Sequence, residues 1–268
     1  MDFASVERNE WTDSAVATSY AEGFAQAAEM CVPAFVDRCG GAIEVLDLCC
    51  GHGIIARALV DAGMKTTAAD FSPAMLELAA ARVPEARIVE ADAMALPFDD
   101  ETFDAITIGF GMPHVPDPPQ VLRECWRVLR PRGRLVYSAW RGAEAKTAMV
   151  GVFQAIAKHG DPLVKLPPGP GASDYVQPEI AGPALAAAGF ADVSYDTVPS
   201  KWITDDPVAP YDYFLNGTAR GGFLLRRQGP DHAKAIRAAV VEWVEENCPA
   251  GPPWHIPIPA GIVTATKA

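Results

Sequence analysis

The stretch that most constrains this chain is V-L-D-L-C-C-G-H-G, residues 45–53. Residues 45–48 are apolar apart from Asp47, a pattern typical of a strand that is buried on both faces of a parallel sheet. Two glycines follow, and residues 54–62 have the spacing of a helix with one apolar side. A strand that turns through Gly-x-Gly into a helix lets a ligand approach the backbone and points unpaired N–H groups at it. The sequence therefore predicts a nucleotide-type cradle at this turn.

Two classes of cofactor fit such a turn. Gly51, Gly53 and Ala56 satisfy the dinucleotide fingerprint G-x-G-x-x-G/A, so an NAD-dependent oxidoreductase is one interpretation. Asp47 argues against it, because a carboxylate at the strand end repels a pyrophosphate and attracts an ammonium group. A strand–helix turn that binds nothing is a third interpretation.

Strands and helices alternate after this turn, which is typical of a parallel sheet with crossover helices. The predicted strands are 43–48, 66–70, 87–90, 105–109, 135–139 and 191–198, with a last strand in I-P-I-P-A-G-I-V-T-A-T near the end of the chain. The predicted helices are 13–38, 54–62, 72–82, 118–130, 145–158, 179–188, 208–226 and 230–246. The Pro- and Gly-rich segment 160–174 is predicted to be a loop.

Several later segments occur in a known order. After D-x-x-x-G-x-G come a second strand ending in Asp70, then E-A-D-A at 90–93, L-P-F-D-D-E-T-F-D-A-I at 96–106 and V-L-R-E-C-W-R-V-L-R-P-R-G-R-L at 121–135. Together they resemble the class I methyltransferases that use S-adenosylmethionine (SAM), in particular the small-molecule enzymes of ubiquinone and menaquinone biosynthesis. Cys49 replaces the first glycine of the family's pattern, a departure that ubiquinone-type members share.

The resemblance implies an α/β fold with a Rossmann-like, seven-stranded, mostly parallel sheet. Helices are expected on both faces, the last strand is expected to be antiparallel, and a helical cap is expected. The implied organisation is an N-terminal helical lid at 1–40, a SAM-binding core at 41–140, and cap helices with the last two strands at 141–268, all within one structural domain.

The resemblance also implies cofactor contacts. Asp70 would accept hydrogen bonds from the ribose hydroxyls, Asp92 from the exocyclic amine of adenine, and Tyr20 would approach the methionine end. The predicted cofactor set is Tyr20, Asp47, Gly51, Gly53, Asp70, Phe71, Asp92, Ala93 and Phe110. Two alternatives stay open: Asp70 as a helix-capping residue before Ser72, and Tyr20 as a core aromatic residue.

The predicted activity is methyl transfer from SAM to a small-molecule acceptor, with S-adenosylhomocysteine as the product. Positioning and exclusion of water carry most of such an in-line displacement, and a base is needed only if the acceptor keeps its proton at neutral pH. His114, in the loop after the fourth strand, is the predicted base, and His159, Trp202, Tyr211 and Phe214 are the predicted acceptor contacts. The alternative is a SAM-binding protein of this fold with a regulatory role or a non-methylating reaction such as a cyclisation.

Composition narrows the expected partners and location. The 268-residue chain has a formal net charge of −12 and only short basic clusters, so nucleic-acid binding is not expected. No apolar run reaches about 18 residues and no secretory signal is visible, which favours a cytoplasmic protein without a membrane span. The six cysteines form no C-x-x-C pair and do not cluster with the five histidines, so neither a disulfide nor a metal site is predicted. A homodimer is compatible with the sequence.

Overall fold

The computed structural model describes residues 1–142 and 146–268. Its helices within these ranges are α1 (Phe3–Trp11), α2 (Ser14–Ser19), α3 (Ala25–Glu29), α4 (Val32–Arg38), α5 (Ile54–Asp61), α6 (Pro73–Arg82), α7 (Pro118–Val128), α8 (Ala148–His159), α9 (Pro178–Ala188), α10 (Ala209–Gly217), α11 (Ala219–Leu225) and α12 (Pro230–Asn247). Its strands are β1 (Glu44–Leu48), β2 (Lys65–Asp70), β3 (Arg87–Glu90), β4 (Phe103–Ile108), β5 (Leu129–Trp140), β6 (Phe190–Val198), β7 (Lys201–Thr204), β8 (Trp254–Pro257) and β9 (Ala260–Lys267).

The chain divides into two compact units. The sheet unit comprises residues 29–140, 170–198 and 260–268, and the helical unit comprises residues 1–28, 141–169 and 199–259. The predicted division into lid, core and cap stays a prediction.

The sheet unit contains, among the described residues, a seven-stranded sheet in the order β3-β2-β1-β4-β5-β9-β6. Strands β1 to β5 pair in parallel, and β9 is antiparallel to both of its neighbours. The predicted α/β fold with an antiparallel last strand is therefore confirmed. The strand order reverses between β1 and β4, and open α/β sheets bind their ligands beside the carboxyl ends of the strands at such a reversal.

Apolar residues cover both faces of the sheet. Ala68 and Ala69 are consecutive on β2, so they face opposite sides, and they belong to different apolar clusters. The cluster around Ala69 includes buried residues of α7 and α9, whereas the one around Ala68 includes Ala56 of α5 and Ala79 of α6. Small residues at those two helix positions let α5 and α6 approach the strands closely.

The helical unit is organised around aromatic side chains. Trp202 on β7 is fully buried, its indole N–H donates to the carbonyl of Phe24 at 3.0 Å, and its ring contacts Phe24, Tyr213 and Phe214 edge-on. Strands β7 and β8 pair with each other in a separate two-stranded sheet. None of the described helices has both the length and the apolar character that crossing a bilayer requires.

The predicted single helix over 13–38 is wrong. Asp13 caps α2 as expected, with its carboxylate accepting from the Ala15 N–H at 2.8 Å. The chain then passes through a π-helical turn at Tyr20–Phe24 and into the short α3. Pro33 lies in the first turn of the separate helix α4, where its missing N–H costs nothing, rather than bending the end of one long helix.

Other elements also differ from the predictions. The predicted helix 118–130 ends at Val128, and the R-P-R-G segment at 130–133 lies inside β5, where a register shift opposite Phe103 accommodates the extra residues. The predicted helix 208–226 divides at Thr218 and not at its paired glycines, which are buried within α11. Strand β7 is not predicted, because a four-residue strand carries little periodicity. The predicted last strand, which begins at Ile256, divides into β8 and β9. Helix α8 starts at Ala148, and the predicted start at residue 145 lies outside the described residues.

Candidate functional site

The turn after β1 has the left-handed backbone that its glycines predict. Gly51 has φ 53° and Gly53 has φ 81°, a region that glycine adopts without strain. A Cβ on Gly53 would lie 3.2–3.3 Å from Ala79 and Val83, so this glycine lets α5 begin close to α6. Among the described residues, the Met75 sulfur, at 3.9 Å, is the one atom within 4 Å of a Cβ on Gly51, which leaves the backbone of this glycine accessible to a ligand.

Asp47 is fully buried at the end of β1. Its Oδ1 accepts from the Thr107 hydroxyl at 2.7 Å, and its Oδ2 accepts from the Ala56 N–H at 3.0 Å. Ala56 lies in the first turn of α5, whose N-cap Gly53 has no side chain, so Asp47 acts as the missing cap. Burial raises the pKa of Asp47 to about 7, although the bonds from Thr107 and Ala56 oppose this rise. A contact between Asp47 and a cofactor ammonium stays a prediction.

Asp70 connects the end of β2 to the glycine turn. Its Oδ2 accepts from the Gly51 N–H at 2.9 Å and its Oδ1 from the Ser72 N–H at 3.0 Å. Ser72 itself caps α6 by accepting from the Met75 N–H, so the alternative that Asp70 is the helix cap is wrong. Burial raises the pKa of Asp70, and the backbone N–H groups oppose the rise. A carboxylate has about four acceptor positions, so Asp70 keeps the capacity to accept from ribose hydroxyls.

Asp92 begins the turn that follows β3, two residues after Glu90, which pairs with Asp70 on the adjacent strand β2. Its Oδ1 accepts from the Met94 N–H at 2.9 Å, and its carbonyl accepts from the Ala95 N–H at 3.0 Å. The neighbouring Ala93 is buried. The sequence-predicted acids therefore lie at the carboxyl ends of β1, β2 and β3, along one edge of the sheet.

Phe110, just after β4, is held in a strained conformation. Its φ of 61° is unusual for a bulky residue and costs about 1–3 kcal/mol. Its N–H donates to the buried Ser138 hydroxyl at 3.1 Å, and its ring stacks on Trp140 with centroids 4.0 Å apart. The next residue, Gly111, packs directly on Cys49, which also has a left-handed backbone, with φ 54°. The loops after β1 and β4 are thus in close contact.

His114, the predicted base, lies in a 3-10 turn at Met112–His114 beyond Phe110. This turn follows β4 directly, so His114 lies at the same edge of the sheet as the predicted acids. Its role as a catalytic base stays a prediction.

Phe71, directly after Asp70, belongs to the sheet unit, and its contact with the cofactor stays a prediction. Tyr20 and the predicted acceptor contacts belong to the helical unit. Tyr20 is half-buried, packs edge-on against Trp11 and stacks on Phe24. Trp202, Tyr211 and Phe214 are buried, and the carbonyl of His159 is hydrogen-bonded to the His232 ring. These are the contacts of core aromatic residues and a helix end, and contacts with a cofactor or an acceptor stay predictions.

Two hydroxyl residues that shape the site, Thr107 and Ser138, are absent from the predicted set. Both are fully buried in strands whose neighbouring residues are apolar. Buried polar groups are almost always hydrogen-bonded, so a lone hydroxyl in an apolar strand was a usable signal.

His52, between the two glycines, makes the stability of the folded protein depend on pH. Burial, assisted by the positive charge of Arg82, lowers the pKa of His52 to about 4. Between pH 6.5 and 4 the unfolded chain binds a proton at His52 that the folded chain does not, so stability falls as the pH falls. As the pH falls over this range, we expect the free energy of unfolding of wild type to decrease by about 2–3 kcal/mol relative to that of His52→Gln.

Urea unfolding at pH 4, 5, 6 and 7 measures this difference. The exposed His255 provides the matched control, His255→Gln. Parallel pH profiles for wild type and His52→Gln would show that His52 is protonated equally in both states.

Residues 46–137 match the family model described as "Methyltransferase domain". The demethylmenaquinone methyltransferase of Clavibacter sepedonicus is 46% identical over 96 residues, which cover 35% of this chain and 39% of that enzyme. Residues 46–137 are a class I methyltransferase domain. All the acids and glycines of the sheet-edge site lie within this methyltransferase domain, whereas the match spans only about two fifths of the curated relative.

Solved structures show the same fold. The [4+2]-cyclase SpnF has a TM-score of 0.55 at 22% identity and covers 91% of this chain and 82% of its own. A Haemonchus contortus phosphoethanolamine N-methyltransferase 2 was solved with phosphomonomethylethanolamine and S-adenosylhomocysteine. It has a TM-score of 0.51 at 17% identity, and the match covers 88% of this chain and 52% of that enzyme. At these identities the likeness extends the fold beyond the methyltransferase domain and indicates nothing finer.

Proposed function

We propose that this chain is a SAM-dependent methyltransferase that acts on a small-molecule acceptor. The main support is the Asp70 carboxylate, which accepts from the Gly51 N–H at 2.9 Å and so joins the predicted ribose acid to the glycine turn. The matched relatives include a demethylmenaquinone methyltransferase, which makes a demethylated quinone the first acceptor to test. A cytoplasmic location belongs to the same proposal.

The residues at the sheet edge fit SAM. Asp70 and Asp92 would accept from the ribose hydroxyls and the adenine amine, and the open backbone at Gly51 would admit the cofactor closely. When bound, SAM supplies an electrophilic methyl group on a sulfonium. The buried Phe110 and Trp140 at the ends of β4 and β5 would exclude water beside the transfer. His114 would take the proton of an acceptor that is protonated at neutral pH.

Calorimetric titration with SAM, S-adenosylhomocysteine and NAD tests the cofactor. We expect the first two to bind and NAD not to bind. Asp70→Ala removes the acceptor for both ribose hydroxyls, so SAM affinity should fall by one to a few decades while the far-UV circular dichroism is retained. Asp99→Ala, which removes an exposed carboxylate, is the matched control.

Turnover is tested by incubating the protein with SAM and a soluble demethylmenaquinone, and then measuring S-adenosylhomocysteine and the acceptor's mass. Methyl transfer requires equal amounts of both products. Binding of SAM without S-adenosylhomocysteine from this or any other acceptor would favour the non-methylating alternative. Binding of NAD with no response to SAM would contradict the proposal.

A further inference from the structure

Three side chains of α7 bind the backbone of the loop Met94–Phe98, which continues the Asp92 turn. Gln120 Nε2 donates to the Met94 carbonyl at 3.1 Å, and Glu124 Oε2 accepts from the Leu96 N–H at 2.7 Å. The Arg127 guanidinium donates to the Leu96 carbonyl at 3.0 Å and to the Phe98 carbonyl at 2.7 Å. We name Gln120, Glu124 and Arg127 the α7 clamp.

The α7 clamp is a rigid face of the helix. Its members are spaced by four and three residues, so they lie on one side of α7, whose opposite side is buried in the apolar core. Arg127 donates two bonds to the Glu124 carboxylate, Nε to Oε1 at 2.9 Å and Nη2 to Oε2 at 2.8 Å. The Arg127 guanidinium lowers the pKa of Glu124, so the pair keeps its charges at neutral pH.

Ala95 bridges to Asp92, but within the described residues no strand pairs with residues 96–98, so this part of the loop depends on the clamp for its backbone hydrogen bonds. Leu96 and Phe98 are buried and anchor it in the core, with the Phe98 ring edge-on to Phe103 at 5.1 Å. Backbone groups that lie near the core need partners, and the four bonds from α7 provide them. Met94 connects the clamp to Asp92, because its carbonyl accepts from Gln120 and its N–H donates to the Asp92 carboxylate.

We propose that the α7 clamp positions the Asp92 carboxylate for the adenine end of the cofactor. The inference rests on the proposed function, since it assumes that Asp92 accepts from the exocyclic amine. It also accounts for two sequence motifs that occur together: E-C-W-R at 124–127 binds the backbone of L-P-F at 96–98. The clamp residues are positioning residues, because they act through the loop and not on the substrate.

The test compares S-adenosylhomocysteine with S-inosylhomocysteine, in which oxygen replaces the exocyclic amine. Wild type should prefer the amine by about tenfold or more, since the analogue has an acceptor in place of the exocyclic donor that Asp92 would bind. Arg127→Lys removes the planar fork that reaches both carbonyls, and Gln120→Glu removes the donor to Met94. Both variants should bind S-adenosylhomocysteine about tenfold more weakly, and their preference should fall to within about threefold.

Arg130→Lys is the matched control, because Arg130 binds the Asp104 carboxylate and the Glu101 carbonyl and makes none of the four bonds to the loop. It should keep the wild-type preference. Thermal unfolding checks that each variant is folded. If Arg127→Lys does not fold, the test rests on the milder substitution Gln120→Glu. A folded clamp variant that weakens both ligands equally, or neither, would overturn the inference. A wild type that binds S-adenosylhomocysteine without preferring the amine would overturn it too, whereas no binding of SAM or S-adenosylhomocysteine would contradict the proposed function.

Discussion

Gly111→Ala is expected to lower the free energy of unfolding by about 1–3 kcal/mol and to weaken SAM binding by about tenfold to a hundredfold. A Cβ on Gly111 would lie 2.5 Å from the Cys49 Cβ, 2.8 Å from its sulfur and 2.9 Å from the Ile108 Cγ2. The Gly111 φ of −78° is ordinary for alanine, so the effect is a clash and not backbone strain. Since Cys49 belongs to the glycine turn, the clash displaces the predicted cofactor cradle.

The same geometry predicts a rescue. Cys49→Gly removes the nearest two atoms of the clash, and glycine adopts the φ of 54° at this position without strain. The double variant should therefore recover most of the stability and SAM affinity that Gly111→Ala loses, and a double-mutant cycle measures the coupling. Gly229→Ala is the control, because a Cβ there meets nothing within 4 Å. Additive effects of the two substitutions would contradict the contact between the loops.

The sheet, and the acidic residues at the ends of its strands, could be predicted because the sequence patterns that indicate them are local. Buried parallel strands are continuous apolar runs, and Asp47 and Asp70 lie within the last two residues of their strands. Parallel strands place their carboxyl ends on one edge, so the order of the motifs was enough to bring the acids to a common edge. The hydrogen bonds between separate segments could not be predicted. Those from Gly51 to Asp70 and from Gln120 to Met94 join segments that only the tertiary structure brings together.

The helical unit was harder to predict. The stripe over 13–38 has helical spacing throughout, yet the chain interrupts it with a π-helical turn at Tyr20–Phe24, where Tyr20 and Phe24 pack with other aromatic rings. The prediction that Trp202 contacts the acceptor rests on its residue type alone. Its full burial reflects the neighbours of β7, which single-sequence periodicity does not reveal.

Asp47→Asn is expected to remove a pH dependence of stability that wild type has between pH 4 and 7. Burial raises the pKa of Asp47 to about 7, whereas an unfolded aspartate titrates near 4. Between these values the folded chain keeps a proton that the unfolded chain has lost, so the free energy of unfolding falls as the pH rises. The contribution of Asp47 should amount to about 3 kcal/mol over this range. The contribution of Asp47 to the free energy of unfolding falls as the pH rises, whereas that of His52 rises. Comparing Asp47→Asn and His52→Gln with wild type therefore measures the two contributions separately.

Asparagine keeps the shape of the buried side chain. Its Oδ1 can accept from the Ala56 N–H and its Nδ2 can donate to the Thr107 hydroxyl, which accepts as readily as it donates. The variant should therefore fold, and its difference from wild type should change steadily with pH in urea unfolding between pH 4 and 8. Asp99→Asn, on the surface, is the matched control. If Asp47→Asn and wild type had equal slopes, Asp47 would be ionised in the folded protein, and the bonds from Ala56 and Thr107 would outweigh the cost of burying its charge.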